Sequence, residues 1–113
     1  MKPTDEQAFD VPTDDRRAIR SALDHARGFL LVGGLRDEEA QAERVLETLN
    51  ETPETEPVTL REVDAARTVA SLVAYREHLL DEGEVPAAAE AEEAIRTLAE
   101  QNAALAAMTE DPR

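Results

Sequence analysis

Apolar residues recur along this chain at intervals of three and four in four stretches, and the pattern breaks at Gly33-Gly34, at residues 50–57 and at Gly83. That spacing places them on one face of an α-helix, and such a face has to be covered by another element. The sequence therefore predicts an all-α fold: an antiparallel four-helix bundle made of two quasi-repeated αα-hairpins. Its expected organisation is a tail over 1–12, one helical domain over 13–108 and a short tail over 109–113. Within the domain, hairpins 13–50 and 59–108 flank a linker at 51–58.

The first helix is expected from Thr13, which is placed to cap it, with Asp14 and Asp15 suiting its positive start. Ile19, Ala22, Leu23, Ala26, Phe29 and Leu30 form its apolar face, and Arg16, Arg17, Arg20, Asp24 and Arg27 lie off it. Gly33-Gly34 ends it, because glycine accepts the left-handed conformation there. The second helix comes after Asp37 as cap and buries Ala42, Val45, Leu46 and Leu49. The run Asn-Glu-Thr-Pro-Glu-Thr-Glu-Pro has two prolines and no apolar residue, which marks a connection. Its Asn50-Glu51-Thr52 matches a glycosylation sequon without a secretion signal to give it meaning. Thr59 and Glu62 have the spacing of a capping box, with Val58 and Val63 as a hydrophobic staple, so the third helix is expected over 59–82. Its face is read as Val63, Ala66, Val69, Ala70, Val73 and Leu80, widened by Leu72 and Leu79. Pro86 opens the fourth helix, expected unbroken to Met108, with Ala88, Ala91, Ile95, Leu98, Asn102 and Leu105 as its seam. Residues 1–12 read as a loose tail from which Phe9 and Val11 could still dock.

An offset of 49 residues superposes the two halves: Leu23 meets Leu72, Arg27 meets Arg76, Leu30-Leu31 meets Leu79-Leu80, and Gly34 meets Gly83. Beyond the turn, Glu43 meets Glu92 and Leu46 meets Ile95. Two copies of one hairpin would each leave an apolar face bare, and packing them together covers both. The repeat also fixes a register: Arg27 should face Glu43, and Arg76 should face Glu92.

The chain carries 26 acidic against 12 basic residues, a net charge of -14, with a single lysine and no cysteine. A charge of this sign repels phosphate backbones and anionic bilayers, so neither nucleic acid nor membrane is expected as a direct partner. Adaptation to a salty interior would also explain much of the acidity. The missing thiol excludes disulfides, thiolate metal sites and cysteine nucleophiles. Met1 to Glu6 lacks the character of a signal peptide, and the longest apolar run, Phe29 to Leu35, is far below the ~20 residues of a membrane helix. A cytoplasmic location is the expectation.

No catalytic, cofactor-binding or metal-binding residue is expected. Ser21 and His25 stand four apart on a regular helix with nothing to stabilise an oxyanion, and Ser71 and His78 are roughly 10 Å apart along theirs. The residues three before His25 and His78 are Ala22 and Tyr75, not the glutamates of a helical di-iron site. A His78–Glu82 pair resembles many surface pairs, and Gly28 to Leu35 lacks the Lys-Ser/Thr of a phosphate loop.

Two features point to binding. Asp64, Thr68, Ser71, Tyr75, His78 and Glu82 share a polar stripe of the third helix, where Tyr75, the sole tyrosine, could anchor a partner. Asn102 interrupts the last seam, and Leu105 and Met108 outrun the second helix, a motive for self-association as a two-fold dimer. The function expected is a non-enzymatic, acidic protein-interaction module that binds another protein and self-associates. Candidate contact residues are Ser71, Tyr75, His78, Asn102, Leu105 and Met108. An acidic regulator that occupies the basic, nucleic-acid-binding surface of a partner is the alternative, and a small metal-dependent enzyme the remote one.

Overall fold

A computed structural model describes residues 6–109, without the side chains of Ala104, Met108 and Thr109. The tail residues 1–5 and 110–113 lie outside it. Strand β1 (Glu6–Phe9) leads into α1 (Thr13–Val32), a glycine turn and α2 (Arg36–Glu51). Strand β2 (Val58–Arg61) leads into α3 (Glu62–Asp81), a second turn, α4 (Val85–Ala99) and a short α5 (Ala103–Thr109). The radius of gyration, 13.5 Å, matches the roughly 13 Å expected of one compact body of this length.

The bundle is antiparallel and its repeat is exact in the first helix of each hairpin. Thr13 to Glu62 and Val32 to Asp81 are both steps of 49, so α1 and α3 begin and end at equivalent residues. Both turns close in the same way. Leu35 N–H donates to Leu30 O and Gly34 N–H to Leu31 O, while Glu84 N–H donates to Leu79 O and Gly83 N–H to Leu80 O. This is the Schellman pattern, which requires a left-handed residue; Gly34 and Gly83 supply it with φ of 77° and 78°.

The register expected from the repeat is present. Arg27 Nη2 lies 3.1 Å from Glu43 Oε1, and Arg76 Nη1 lies 3.5 Å from Glu92 Oε1. Arg27 also reaches Glu39. These partly exposed pairs add little stability, about 0–1 kcal/mol each, but they show that the two hairpins pack their helices at the same offset.

The same step relates the buried faces. Ile19, Ala22, Leu23 and Leu30 of α1 correspond to Thr68, Ser71, Leu72 and Leu79 of α3, and all are buried. Ala42, Val45, Leu46 and Leu49 of α2 correspond to Ala91, Ala94, Ile95 and Leu98 of α4, again all buried. Two contacts join equivalent residues: Phe9 pairs with Val58 in the antiparallel β1–β2 ribbon, and the rings of Phe29 and His78 lie 4.9 Å apart. Both pairs straddle a pseudo-two-fold axis. They hold α1 and α3 side by side and parallel, with the strands at one end of the bundle and both glycine turns at the other.

Several expectations need correction. Residues 6–12 are not a loose tail: Gln7 faces Leu60 across the ribbon, and Phe9 and Val11 are buried. Thr59 does not cap α3. It stands in β2 opposite Ala8, and α3 starts at Glu62 without a side-chain cap. Ribbon formation buries Val58 and Leu60, worth more than the ~1 kcal/mol of one cap. Val63, freed of any staple, is exposed. Helices α1 and α2 likewise start from Pro12 and Leu35 rather than from Thr13 and Asp37 as caps.

The fourth helix breaks at Gln101-Asn102 because their amides bind elsewhere. Gln101 Oε1 accepts from Asp10 N–H at 2.6 Å and its Nε2 donates to Asp10 O at 2.9 Å. Asn102 Nδ2 donates to Gln7 Oε1, and its Oδ1 accepts from Leu105 N–H at 3.2 Å, capping α5. Asn102 thus sets a contact between α5 and β1 within one chain. Leu105, expected to outrun its partners, is 1% exposed and part of the core.

Arg16 departs furthest from its reading as a surface residue. It is 2% exposed. Nη1 donates to Thr52 O at 2.9 Å and to Pro53 O at 3.1 Å, and Nη2 donates to Glu56 O at 2.9 Å. One planar guanidinium therefore gathers three carbonyls of the segment between α2 and β2. Arg16→Met should cost about 2–4 kcal/mol in chemical denaturation, because three charge-assisted hydrogen bonds that fix this segment are lost. Arg16→Lys should fall between, since one ammonium cannot span them all; a loss under about 0.5 kcal/mol for Arg16→Met would contradict the clamp. Gly34→Ala and Gly83→Ala should each cost about 1 kcal/mol and by similar amounts, because an added Cβ meets no atom within 4 Å at either site and only the positive φ opposes it.

Candidate functional site

The turn end of the bundle carries side chains that the fold does not use. Leu31 and Val32 precede the first glycine turn and are 58% and 91% exposed, with Leu35 beyond it. Leu80 precedes the second turn and Val85 comes after it, also exposed. They reach the surface because a Schellman turn stops each helix while its outward positions still bear apolar side chains. Leu31 and Leu80 are equivalent under the repeat, so each hairpin exposes apolar side chains beside its turn.

Behind these residues stands a ring cluster. Phe29 packs against Tyr75, with centroids 5.8 Å apart, and against His78. Beside the first turn, Leu30, Leu35, Ala70 and Ala74 floor a surface hollow of about 290 Å³, with Asp37 and Glu38 at its edge. Arg67 and Ser71 complete its lining.

The surrounding charge is negative. Asp37 and Glu38 open α2, and Asp81, Glu82 and Glu84 surround the second turn. None of these five carboxylates forms an ion pair among the described residues, where Arg27 and Arg76 are engaged with Asp24, Glu39, Glu43, Glu77 and Glu92. Arg36 is the cation in the same segment. Tyr75 feels this field. Burial, then Glu90 and Glu84, raise its phenol above the ordinary value of 10.0, since each disfavours a phenolate.

The expected contact residues separate. Tyr75 and His78 arrive at the turn end. Ser71 is buried, though it lines the hollow, and Thr68 of the same stripe is buried too. Asp64 is drawn to α2, where Gln41 Nε2 donates to it and Arg44 lies 3.8 Å away. Asn102 and Leu105 belong to the α4–α5 break at the strand end, and the side chain of Met108 lies outside the described residues. Sequence reasoning missed Leu31, Val32, Leu35, Leu80 and Val85. The signal was present in the Phe29 to Leu35 run, which the helical period of α1 does not need in full.

Among the described residues no three histidines or carboxylates gather into a metal site, and no helix is long and apolar enough to cross a membrane. The chain matches no known protein family, no curated protein and no solved structure. What the turn end can do chemically is bury apolar surface against a partner and attract positive charge.

Because Tyr75 is the sole tyrosine, tyrosinate absorbance reads it alone. Its midpoint should lie above 10.0, and Glu90→Gln should lower it. A phenol held protonated by the fold contributes its full stability below the unfolded value, and that contribution is lost as pH climbs through the folded one. A midpoint at or below the ordinary value in the native protein would remove the proposed burial and field.

Proposed function

We propose that this protein is a non-enzymatic interaction module that engages another protein through the turn end of its bundle. The observation that carries the reading is the exposure of Leu31, Val32 and Val85, at 58%, 91% and 61%; among the described residues, every large exposed apolar side chain but Val63 flanks a glycine turn. Clusters of large exposed apolar side chains on a folded surface mark contact sites more often than isolated ones do. Tyr75, Phe29 and His78 cluster at the same end, and tyrosine is among the residue types that dominate binding energy at interfaces.

The expected dimer loses the part of its motive that rested on Leu105, which is covered within its own chain. A partner of different sequence is therefore the preferred reading. An acidic regulator of a basic surface uses the same end, and the five carboxylates there, without an ion pair among the described residues, favour it; the two readings differ only in what the partner presents.

A photo-crosslinking residue placed at Val32 or Val85, in cells that make the protein, should trap one defined protein species at both positions. The same probe at Glu47, on the exposed side of α2, should not. Equal labelling at all three positions, or none at Val32 and Val85, would contradict the assignment.

A further inference from the structure

We infer that the hollow between α2 and α3 binds a free α-amino acid with an apolar side chain. The inference goes beyond the docking of a protein at the turn end and does not depend on it. It starts from four side chains that line this one hollow: Asp37 and Glu38 of α2, and Arg67 and Ser71 of α3. Arg67 pairs with neither carboxylate, and none of the three charged groups forms an ion pair elsewhere among the described residues. Ser71 is 7% exposed, yet its hydroxyl has no hydrogen-bond partner among the described residues. Buried polar groups are normally paired, and because Ser71 lines the hollow, a molecule bound there can supply the partner.

The bundle does not require these four groups. Under the repeat, Arg67 and Ser71 correspond to Ala18 and Ala22, and Asp37 and Glu38 to Pro86 and Ala87. The equivalent contact, of α1 with α4, is therefore built with alanine and proline at all four places. Both signs of charge and the hydroxyl belong to one copy alone, where they serve something other than helix packing.

The chemistry of the lining names the occupant. Arg67 suits a carboxylate, which a guanidinium holds through paired N–H groups, and the Ser71 hydroxyl can donate to the same group. Asp37 and Glu38 suit an ammonium. Leu30, Leu35, Ala70 and Ala74 make the rest of the wall apolar, and a volume of about 290 Å³ lies at the small end of ligand sites. An α-amino acid carries the ammonium, the carboxylate and an apolar chain on one carbon and fits that size. A ligand with a single charge leaves the other sign of the lining desolvated and uncompensated. Phosphate esters set their charge against two carboxylates, and one side chain of a protein partner brings at most one of the two charges.

The test is titration of the isotopically labelled full chain with L-leucine. Amide signals of Asp37, Glu38, Arg67 and Ser71 should shift together and saturate with a dissociation constant of about 1 mM or below. N-acetyl-leucine lacks the ammonium and leucinamide lacks the carboxylate; each should bind at least about tenfold more weakly, because a charge of the lining loses its counterpart. Glycine, without an apolar chain, should also bind more weakly. Arg67→Ala combined with Ser71→Ala matches the equivalent positions of α1, so the circular dichroism spectrum should be kept while leucine binding falls at least about tenfold.

The absence of a saturable shift at these amides would overturn the inference. Equal binding of leucine and of N-acetyl-leucinamide, which has neither charge, would also overturn it and assign the hollow to a leucine side chain of a protein partner. Undiminished binding by the folded double variant would place leucine elsewhere and overturn it as well. The crosslinks at Val32 and Val85 enter none of these outcomes, so the docking surface and the amino-acid site stand or fall separately.

Discussion

The structure depends on packing one hairpin against the other, α1 against α4 and α2 against α3, with α1 and α3 meeting along the pseudo-axis. Each hairpin alone would leave Ile19, Leu23 and Leu30, or Leu72 and Leu79, in water. Fully burying a leucine or isoleucine side chain is worth about 1.5–3 kcal/mol, so two hairpins gain together what neither has alone. The two pairs on the pseudo-axis, Phe9 with Val58 and Phe29 with His78, hold the ends of this arrangement. Everything else is placed relative to them. The ribbon of β1 and β2 joins the helix starts, the glycine turns gather at the far end, and α2 and α4 close the sides.

The halves differ where a connection has to be made. After α2 the chain must return to the strand end, and its prolines forbid a regular path. Arg16 solves this from α1 by donating to carbonyls of Thr52, Pro53 and Glu56. The equivalent residue of α3 is Ala65, also buried. After α4 the chain instead makes the Gln101-Asn102 break and lays α5 against α3. Gln7, Asp10, Gln101 and Asn102 tie that break to β1. A repeat that holds closely within the hairpins thus diverges beyond the end of each, where the two copies have different distances to cross.

The helix count, the turns, the offset and the Arg–Glu register are all legible, because spacing by three and four and the positions of glycine are local signals. The buried face of α3 cannot be read correctly from hydrophobicity. By that measure Val63, Ala70 and Leu80 belong to the core, and Thr68 and Ser71 to the surface. The repeat holds the better answer: shifting the α1 face by 49 residues gives Thr68, Ser71, Leu72 and Leu79, four of the six residues of α3 that the structure buries. Symmetry outweighs polarity here because small hydroxyl residues fit a close helix contact. The strands are hidden because each is 4 residues long and pairs with a partner some fifty residues away. A capping box overlaps the second of them. Arg16 is hidden because its partners are backbone carbonyls, which no side-chain pattern reveals.

Turn chemistry explains the glycines at the apolar end but not the residues beside them. A Schellman turn needs its left-handed glycine, and one hydrophobic contact between the residues that flank the turn commonly accompanies it. In the first turn Leu30 and Leu35 occupy those two places and line one hollow. Leu31 and Val32 lie outside that requirement, as do Leu80 and Val85 in the second. Folding would proceed with polar residues at all four positions, and solubility would improve. They flank both turns, near Asp37, Glu38, Asp81, Glu82 and Glu84, which form no ion pair among the described residues.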